Sequence, residues 1–309
     1  MDPTLYPDPW RFQSHLEIWV LVGFLVGAYV YALRVIGPKV APEGRIVTRG
    51  QIRAFGAMIL VLWLSSDWPV HDLAEEYLYS VHMVQHMALS MFVPPLALLA
   101  IPEWLARILL GQGRTFAASR FLSKPVVAAF VYNIVLLVTH IPALVNRSAQ
   151  GGPIHYLLHV VLVTSALLLW MPVVGPIREW QMSHGGKMIY LFAMSLVPTV
   201  PAGWLTFAEG SVYDHYETPV RVWGISVIDD QQVAGAIMKL GGSVFMWAVI
   251  IFYFFKRFMA GFHEQQSYAP AAKPNDSEML SENEALTFAE VEQAFERSRP
   301  VSEGPAGPT

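Results

Sequence analysis

Long apolar segments alternate with short polar connections along most of the chain. A helix needs about 20 mostly apolar residues to cross a bilayer, and seven segments have this character. They cover approximately residues 17–36, 52–68, 77–100, 125–145, 154–174, 187–208 and 230–256. Glycine and proline separate many of them, as expected where helices end. The pattern predicts an all-α polytopic membrane protein with seven transmembrane helices in a domain of residues 1–262.

Basic residues next to the predicted helix ends are unevenly divided between the two sides of the membrane. Thirteen lie on one side, whereas only Arg11, Arg147 and Arg221 lie on the other. Because basic residues favour the cytoplasmic side, we expect the N-terminus outside and the C-terminus in the cytoplasm. Acidic Asp2 and Asp8 precede the first apolar segment, so we expect that segment to be retained rather than cleaved as a signal peptide.

Residues 263–309 differ from the rest of the chain in composition. They carry 3 basic and 9 acidic residues and are rich in proline, serine and alanine, which is typical of disordered segments. Within them, residues 281–297 combine a capping-box pattern with an apolar stripe at helical spacing, formed by Phe288, Val291 and Phe295. We expect an acidic, largely disordered cytoplasmic tail that contains one short amphipathic helix.

The composition limits the kinds of function that the chain can have. With 54% hydrophobic and 14% charged residues, it is too apolar for a typical soluble domain, and we expect the lipid bilayer, not nucleic acid, as its environment. The chain has no cysteine, which excludes disulfides and thiolate metal sites. Histidine, methionine and carboxylate side chains remain as candidate metal ligands.

Two pairs of histidines with HxxxH spacing lie near matching ends of predicted helices. His82 and His86 are in the third segment, and His155 and His159 are in the fifth, which runs in the same direction. Residues four apart share one face of a helix. At about 1.5 Å per residue, His82, His140 and His159 lie at a similar depth, with His86 one turn deeper and His155 one turn shallower.

Ionisable groups within membrane helices are costly and mark function, so these five histidines are the predicted metal site. Neutral imidazoles suit copper, zinc or haem iron. The residues alone leave these three open, and His155 is the first ligand that an incoming ion would meet. The alternative is a group of buried, hydrogen-bonded histidines with a purely structural role.

Five further residues are candidate accessory groups of this site: Met83, Met87, Asp230, Met238 and Lys239. Thioethers favour Cu(I), although methionine also commonly fills gaps in a core. Asp230 opens the seventh segment, where it would cap the helix or guide ions to the site. Lys239 should lie about 13 Å deeper, near the bilayer centre, and therefore needs a partner within the protein.

Several short motifs occur between approximately residues 55 and 256. They are Tyr79-Ser-Val-His-Met-Val-Gln-His-Met87, Pro94-Pro95, Ile101-Pro102, His140-Ile-Pro142, His155-Tyr-Leu-Leu-His159, Trp170-Met-Pro172 and Asp230-Gln-Gln-Val-Ala-Gly-Ala-Ile-Met-Lys239. This set resembles the CtaG family of seven-span, caa3-type cytochrome c oxidase assembly factors. Relatives often carry Gly-Gly where this chain has Ala234-Gly235, and the small residues still permit close helix packing.

The resemblance implies a multi-pass protein of the bacterial plasma membrane that is not an enzyme. Such a protein helps to mature a haem-copper oxidase, with subunit I as its partner and copper for the CuB centre as its cargo. Two alternatives stay open. A seven-span zinc-dependent hydrolase would hold a catalytic metal with membrane histidines, but Met83 follows His82, so the HExxH arrangement is absent. A b-type membrane protein would use two histidines as axial ligands of a single haem.

Overall fold

The computed structural model describes residues 8–41, 44–149, 152–218, 220–268 and 288–298, and every regular element in them is a helix. Within these residues, five helices are long and apolar enough to cross a membrane: Leu16–Val40, Tyr79–Ala100, Pro153–Val174, His184–Thr206 and Val227–Ala260. The protein is therefore an all-helical membrane protein, as the hydrophobic pattern predicts.

We number the main helices in chain order. They are α1 (Leu16–Val40), α2 (Arg49–Ser66), α3 (Tyr79–Ala100), α4 (Glu103–Leu109), α5 (Arg114–Leu122), α6 (Pro125–Thr139), α7 (Pro142–Ala149), α8 (Pro153–Val174), α9 (His184–Thr206), α10 (Val227–Ala260) and α11 (Phe288–Ser298). The helical turns of α10 continue to Tyr268. Short 3-10 turns occur at Arg178–Trp180, Asp214–Tyr216 and Val222–Gly224.

Two predicted spans differ from the structure. The segment 125–145 is divided into α6 and α7, because Pro142 cannot continue α6 and restricts the residue before it. Helices α5 and α6 meet at 73° and give a sixth span only if this bent pair counts as one. The segment 52–68 overlaps α2, an 18-residue helix that starts with polar residues and is not among the five apolar helices of the described residues.

Several helices are interrupted by wider, π-helical turns. These turns are Ala32–Ile36 in α1, Ala88–Phe92 in α3 and Ile237–Gly241 in α10, and another, Leu73–Tyr77, lies just before α3. π-Helical turns occur frequently at functional sites. Helix α9 is broken between Leu196 and Thr199, where Pro198 cannot donate a backbone hydrogen bond.

The main core lies between α3, α6, α8, α9 and α10. Helix α8 packs against α6 and α3, α2 packs against the second half of α3, and the second half of α9 packs against α10. Trp170 of α8 is fully buried, and its indole N–H donates to the carbonyl oxygen of Ser90 at 3.1 Å. This bond satisfies an acceptor in the π-helical turn of α3, which fixes α8 against α3 at that level.

Contacts within the chain define two units, Met1–Arg257 and Phe258–Thr309. In the second unit, α11 carries Val291 and Phe295, whose side chains are 42% and 73% exposed. Helix α11 overlaps the predicted amphipathic helix 281–297. Residues 281–287 of that prediction, and most of the predicted disordered tail, lie outside the described residues.

Candidate metal centre

A buried carboxylate lies between the two HxxxH pairs. The Nδ1 atom of His82 is 3.2 Å from one oxygen of Glu75, and the Nδ1 atom of His155 is 3.2 Å from the other. Glu75 belongs to the π-helical turn Leu73–Tyr77, just before α3. Burial raises the pKa of the Glu75 carboxyl, but the neighbouring histidines outweigh this effect and lower it to about 2. The group is therefore ionised at neutral pH and accepts both hydrogen bonds.

These hydrogen bonds determine which ring nitrogen carries the proton. A third histidine, His140, has its Nδ1 atom 2.6 Å from the carbonyl oxygen of Leu136. Carboxylate and carbonyl oxygens only accept, so Nδ1 is protonated in His82, His140 and His155. In a neutral ring, Nε2 then keeps a lone pair for an ion. Metal-binding histidines are commonly oriented by a carboxylate or carbonyl at the other nitrogen.

Three histidines of this region have an unpaired ring nitrogen. Among the described residues, the Nε2 atoms of His140, His155 and His159 are buried and have no hydrogen-bond partner. Buried polar atoms are normally satisfied, and an imidazole nitrogen suits copper or zinc. The donor set therefore fits a metal ion.

The structure brings the five predicted ligands into one group, which we call the histidine cluster: His82, His86, His140, His155 and His159. The ring centroid of His86 lies 4.2 Å from that of His82, 5.4 Å from that of His159 and 6.4 Å from that of His140. The rings of His155 and His159 are 4.4 Å apart. The packing of α3 against α8 therefore places the two HxxxH pairs next to each other. Metal binding by them stays a prediction.

His140 reaches the cluster from a different position than predicted. It does not lie within a helix but is the residue that follows α6, with φ −100° and ψ 4°. Pro142 begins α7 two residues later. The proline ends the helix early, and the resulting turn directs the imidazole towards α3.

Methionines surround the deeper side of the cluster. One cavity is lined by His86, His140 and four methionines, and we call it the methionine cavity; these methionines are Met83, Met87, Met91 and Met238. Three of them, Met83, Met87 and Met238, are the candidate accessory ligands. Thioether and imidazole groups together favour Cu(I).

Sequence reasoning missed two residues next to the cluster, Glu75 and His71. The ring centroid of His71 lies 5.8 Å from that of His155. Gln85 donates from Nε2 to Nδ1 of His71 at 3.1 Å and to the carbonyl oxygen of Ser65 at 2.8 Å. Both missed residues precede the apolar segment and look like a polar connection. No helical repeat points to the carboxylate, because the extended residue Leu78 separates the turn that carries Glu75 from α3.

The sequence model of the cytochrome c oxidase caa3 assembly factor family, Caa3_CtaG, matches residues 27–260. The chain belongs to this family. The resemblance seen in the motifs is thereby confirmed. No curated protein and no solved structure matches the chain.

The structure gives each polar residue of the motif Asp230-Gln-Gln232 a separate partner. Asp230 is fully buried and accepts from the backbone N–H groups of Tyr79 at 2.7 Å and Ser80 at 3.1 Å. It therefore caps α3 rather than its own helix, and both of its oxygens are occupied. Gln231 accepts from the backbone N–H of Val212 at 2.8 Å. Gln232 donates to the carbonyl oxygen of Ala208 at 3.0 Å.

Residues 207–218, which we call the Tyr213 loop, lie over the cluster. The Tyr213 hydroxyl donates to the carbonyl oxygen of His140 at 3.0 Å, and the Tyr216 hydroxyl donates to that of Ala74 at 2.9 Å. The Nε2 atom of His215 is 2.8 Å from the carbonyl oxygen of Glu75. The loop therefore fixes the backbone on both sides of the cluster.

The last two candidate residues, Gly235 and Lys239, connect α10 with α9. A Cβ atom on Gly235 would lie 2.7 Å from the carbonyl oxygen of Ala202, so the predicted close helix packing at Ala234-Gly235 is present. Lys239 has the internal partner that its depth requires, because its ammonium group donates to the Thr199 hydroxyl and to the Ser195 carbonyl oxygen. It does not belong to the histidine cluster.

Proposed function

We propose that this membrane protein binds copper in the histidine cluster and supplies it to subunit I of a haem-copper oxidase, without catalysing a reaction of its own. Family membership supports the oxidase assembly role. The observation that carries the copper role is the position of Glu75, whose two oxygens hold His82 and His155. One charged carboxylate orients one histidine from each HxxxH pair, so that each of these two rings keeps an Nε2 lone pair for an ion.

The side chains in and around the cluster favour copper over metal ions that prefer oxygen ligands. Imidazole nitrogens suit Cu(II), Cu(I) and Zn(II), whereas thioethers add a preference for Cu(I). His86 and His140 belong to the histidine cluster and also line the methionine cavity, so they lie next to both imidazole and thioether groups. An ion can then move from the histidine cluster to the methionines by exchanging one ligand at a time.

We further propose seven spans in the bacterial plasma membrane, with the N-terminus outside and the C-terminus in the cytoplasm. The uneven distribution of basic residues supports this orientation. Counting α2 as a span and the α5–α6 pair as another gives seven. In this orientation the histidine cluster lies at the outer face, where copper arrives from outside the cell.

The proposal is tested by measuring copper bound per purified protein together with oxidase activity. Cells that lack the native gene are complemented with His82→Ala, His159→Ala or the control His184→Ala, which changes a histidine at the start of α9, outside the cluster. We expect the first two variants to accumulate in the membrane but to lose copper and oxidase activity, while the control keeps both. Full copper retention in both cluster variants, or a haem spectrum or stoichiometric zinc in the native protein, would contradict the copper role.

A further inference from the structure

A second group of ligand atoms lies beside the histidine cluster and shares only His155 with it. His71, Glu75 and His155 each offer an atom within 4.8 Å of the others. Among the described residues, no other group of three histidine or acidic side chains meets this distance. The triad therefore differs from the histidine cluster in two of its three side chains, His71 and Glu75.

We propose that His71, Glu75 and His155 form a separate site for a divalent cation, next to the methionine cavity but not part of it. Two imidazoles and a carboxylate are borderline and hard ligands, which suit divalent transition metals and give no advantage to Cu(I). The methionine cavity has the opposite preference. The inference deepens the proposed copper function by giving an incoming ion a first binding place, but the site itself does not depend on that function.

The charge around the triad favours a cation. Residues 54–106 contain no lysine or arginine, whereas Asp67, Asp72, Glu75 and Glu76 lie together in this stretch. Asp67 and Asp72 are only 5% and 3% exposed, and Asp72 accepts from His15 at 3.1 Å. A concave site lined by one sign of charge with apolar walls concentrates ions of the opposite sign.

Gln85 contacts the triad and carries an unpaired atom. Its Nε2 atom donates to Nδ1 of His71 and to the carbonyl oxygen of Ser65, so in the neutral His71 ring the proton lies on Nε2. Binding of an ion through Nε2 therefore requires this proton to move to Nδ1. The Oε1 atom of Gln85 is buried and has no hydrogen-bond partner among the described residues, and it accepts from Nδ1 once the amide has turned over, which gives up the bond to Ser65.

The test uses the full-length protein purified in detergent. Co²⁺ is the probe for the triad, and Cu⁺ is the probe for the histidine cluster and the methionine cavity. Co²⁺ binding is followed by its visible absorption, and Cu⁺ binding by competition with a chromophoric chelator. His71→Phe keeps a ring of similar size but removes both nitrogens. His140→Phe makes the same change in the histidine cluster, and His184→Phe makes it outside both sites.

We expect His71→Phe to weaken Co²⁺ binding about tenfold or more and to leave Cu⁺ affinity within about twofold. His140→Phe should show the reverse, and His184→Phe should change neither affinity. Circular dichroism and gel filtration confirm that each variant is folded, and His71→Asn replaces His71→Phe if the larger ring is not tolerated.

Three results would overturn the second site: no Co²⁺ binding by the native protein, unchanged Co²⁺ binding in the His71 variant, or an equal loss of both ions in both variants. The last result would mean that a single site exists. If the native protein bound Co²⁺ at the triad but did not bind Cu⁺, the proposed copper function would be contradicted and the second site would stand.

Discussion

The ammonium nitrogen of Lys239 lies 2.6 Å from the hydroxyl oxygen of Thr199. Lys239 belongs to the π-helical turn of α10, and Thr199 is the first residue after the break in α9. The same ammonium group reaches the Ser195 carbonyl oxygen at 3.2 Å, in the last turn before the break, where helix carbonyls lose their intrahelical donors. The broken helix thus provides the acceptors that a charge at this depth needs.

This relationship predicts an asymmetry between two substitutions. Thr199→Val removes an acceptor and leaves the ammonium under-satisfied, which should destabilise the protein by about 1–3 kcal/mol. Once Lys239→Met has removed the charge, adding Thr199→Val should cost much less. Thermal unfolding of the two single variants and the double variant in detergent measures this coupling. Additive effects would mean that the two side chains do not interact.

Asp230 should be more important for stability than its neighbour Asp229. Asp230→Ala removes a charged acceptor from two backbone N–H groups at the start of α3 and should cost about 2–3 kcal/mol. Asp229→Ala changes an exposed residue in the first turn of α10 and should cost about 1 kcal/mol or less. The measurement is the unfolding temperature of each variant. Equal shifts would contradict the role of Asp230 as the cap of α3.

Glu75→Gln should weaken copper binding about 10- to 100-fold, because His82 and His155 lose the ionised carboxylate that orients them. The amide keeps the size of the side chain, so the helices should still pack. Glu76→Gln is the matched control and should leave copper affinity unchanged. Equilibrium copper titrations of the native protein and the two variants measure these affinities. If Glu75→Gln bound copper with native affinity, the carboxylate would have no role in the site.

The methionine cavity predicts a metal-specific effect. Replacing Met83, Met87 and Met238 by leucine removes three thioethers at nearly constant volume, so Cu⁺ affinity should fall at least tenfold while Zn²⁺ affinity is preserved. Met58→Leu changes a buried methionine on α2, outside this cavity, and should leave both affinities as they are. Parallel Cu⁺ and Zn²⁺ titrations provide the comparison. If both affinities fell together, the methionines would be packing residues only.

The proposed orientation can be tested in the cysteine-free chain with single introduced cysteines. Glu209 lies on the Tyr213 loop, and Gln112 lies between α4 and α5; both residues are exposed. A cysteine at 209 should react with a membrane-impermeant thiol reagent in intact cells, and one at 112 only after lysis. The reverse pattern would place the histidine cluster on the cytoplasmic side.

The residues that could be predicted from the sequence are those whose position follows from helical repetition. His82 and His86 on α3, and His155 and His159 on α8, share a level because both helices run in the same direction, and the hydrophobic pattern reveals both helices. Glu75 and His71 could not be found in this way. They lie in a π-helical turn and a short connection, whose geometry depends on contacts with the Tyr213 loop rather than on a repeating pattern.

The role of Asp230 could be predicted only in part. The sequence indicates a capping carboxylate, since it stands at a helix start, but not which helix it caps. Its partner Tyr79 is 151 residues away, and only the packing of α10 against α3 brings them together. The end of α6 before His140 could have been predicted from Pro142, but the apolar character of residues 141–145 obscured it.

The groove between α1, α2, α3 and α8 is one route to the histidines. Apolar side chains such as Ile18 and Leu62 line most of it, together with His155 and His159. A second pocket, between α3, α7 and α8, is lined by three histidines of the cluster and by Tyr216 of the Tyr213 loop. We therefore expect an acceptor protein in the same bilayer to approach His155 and His159 sideways, through the apolar groove.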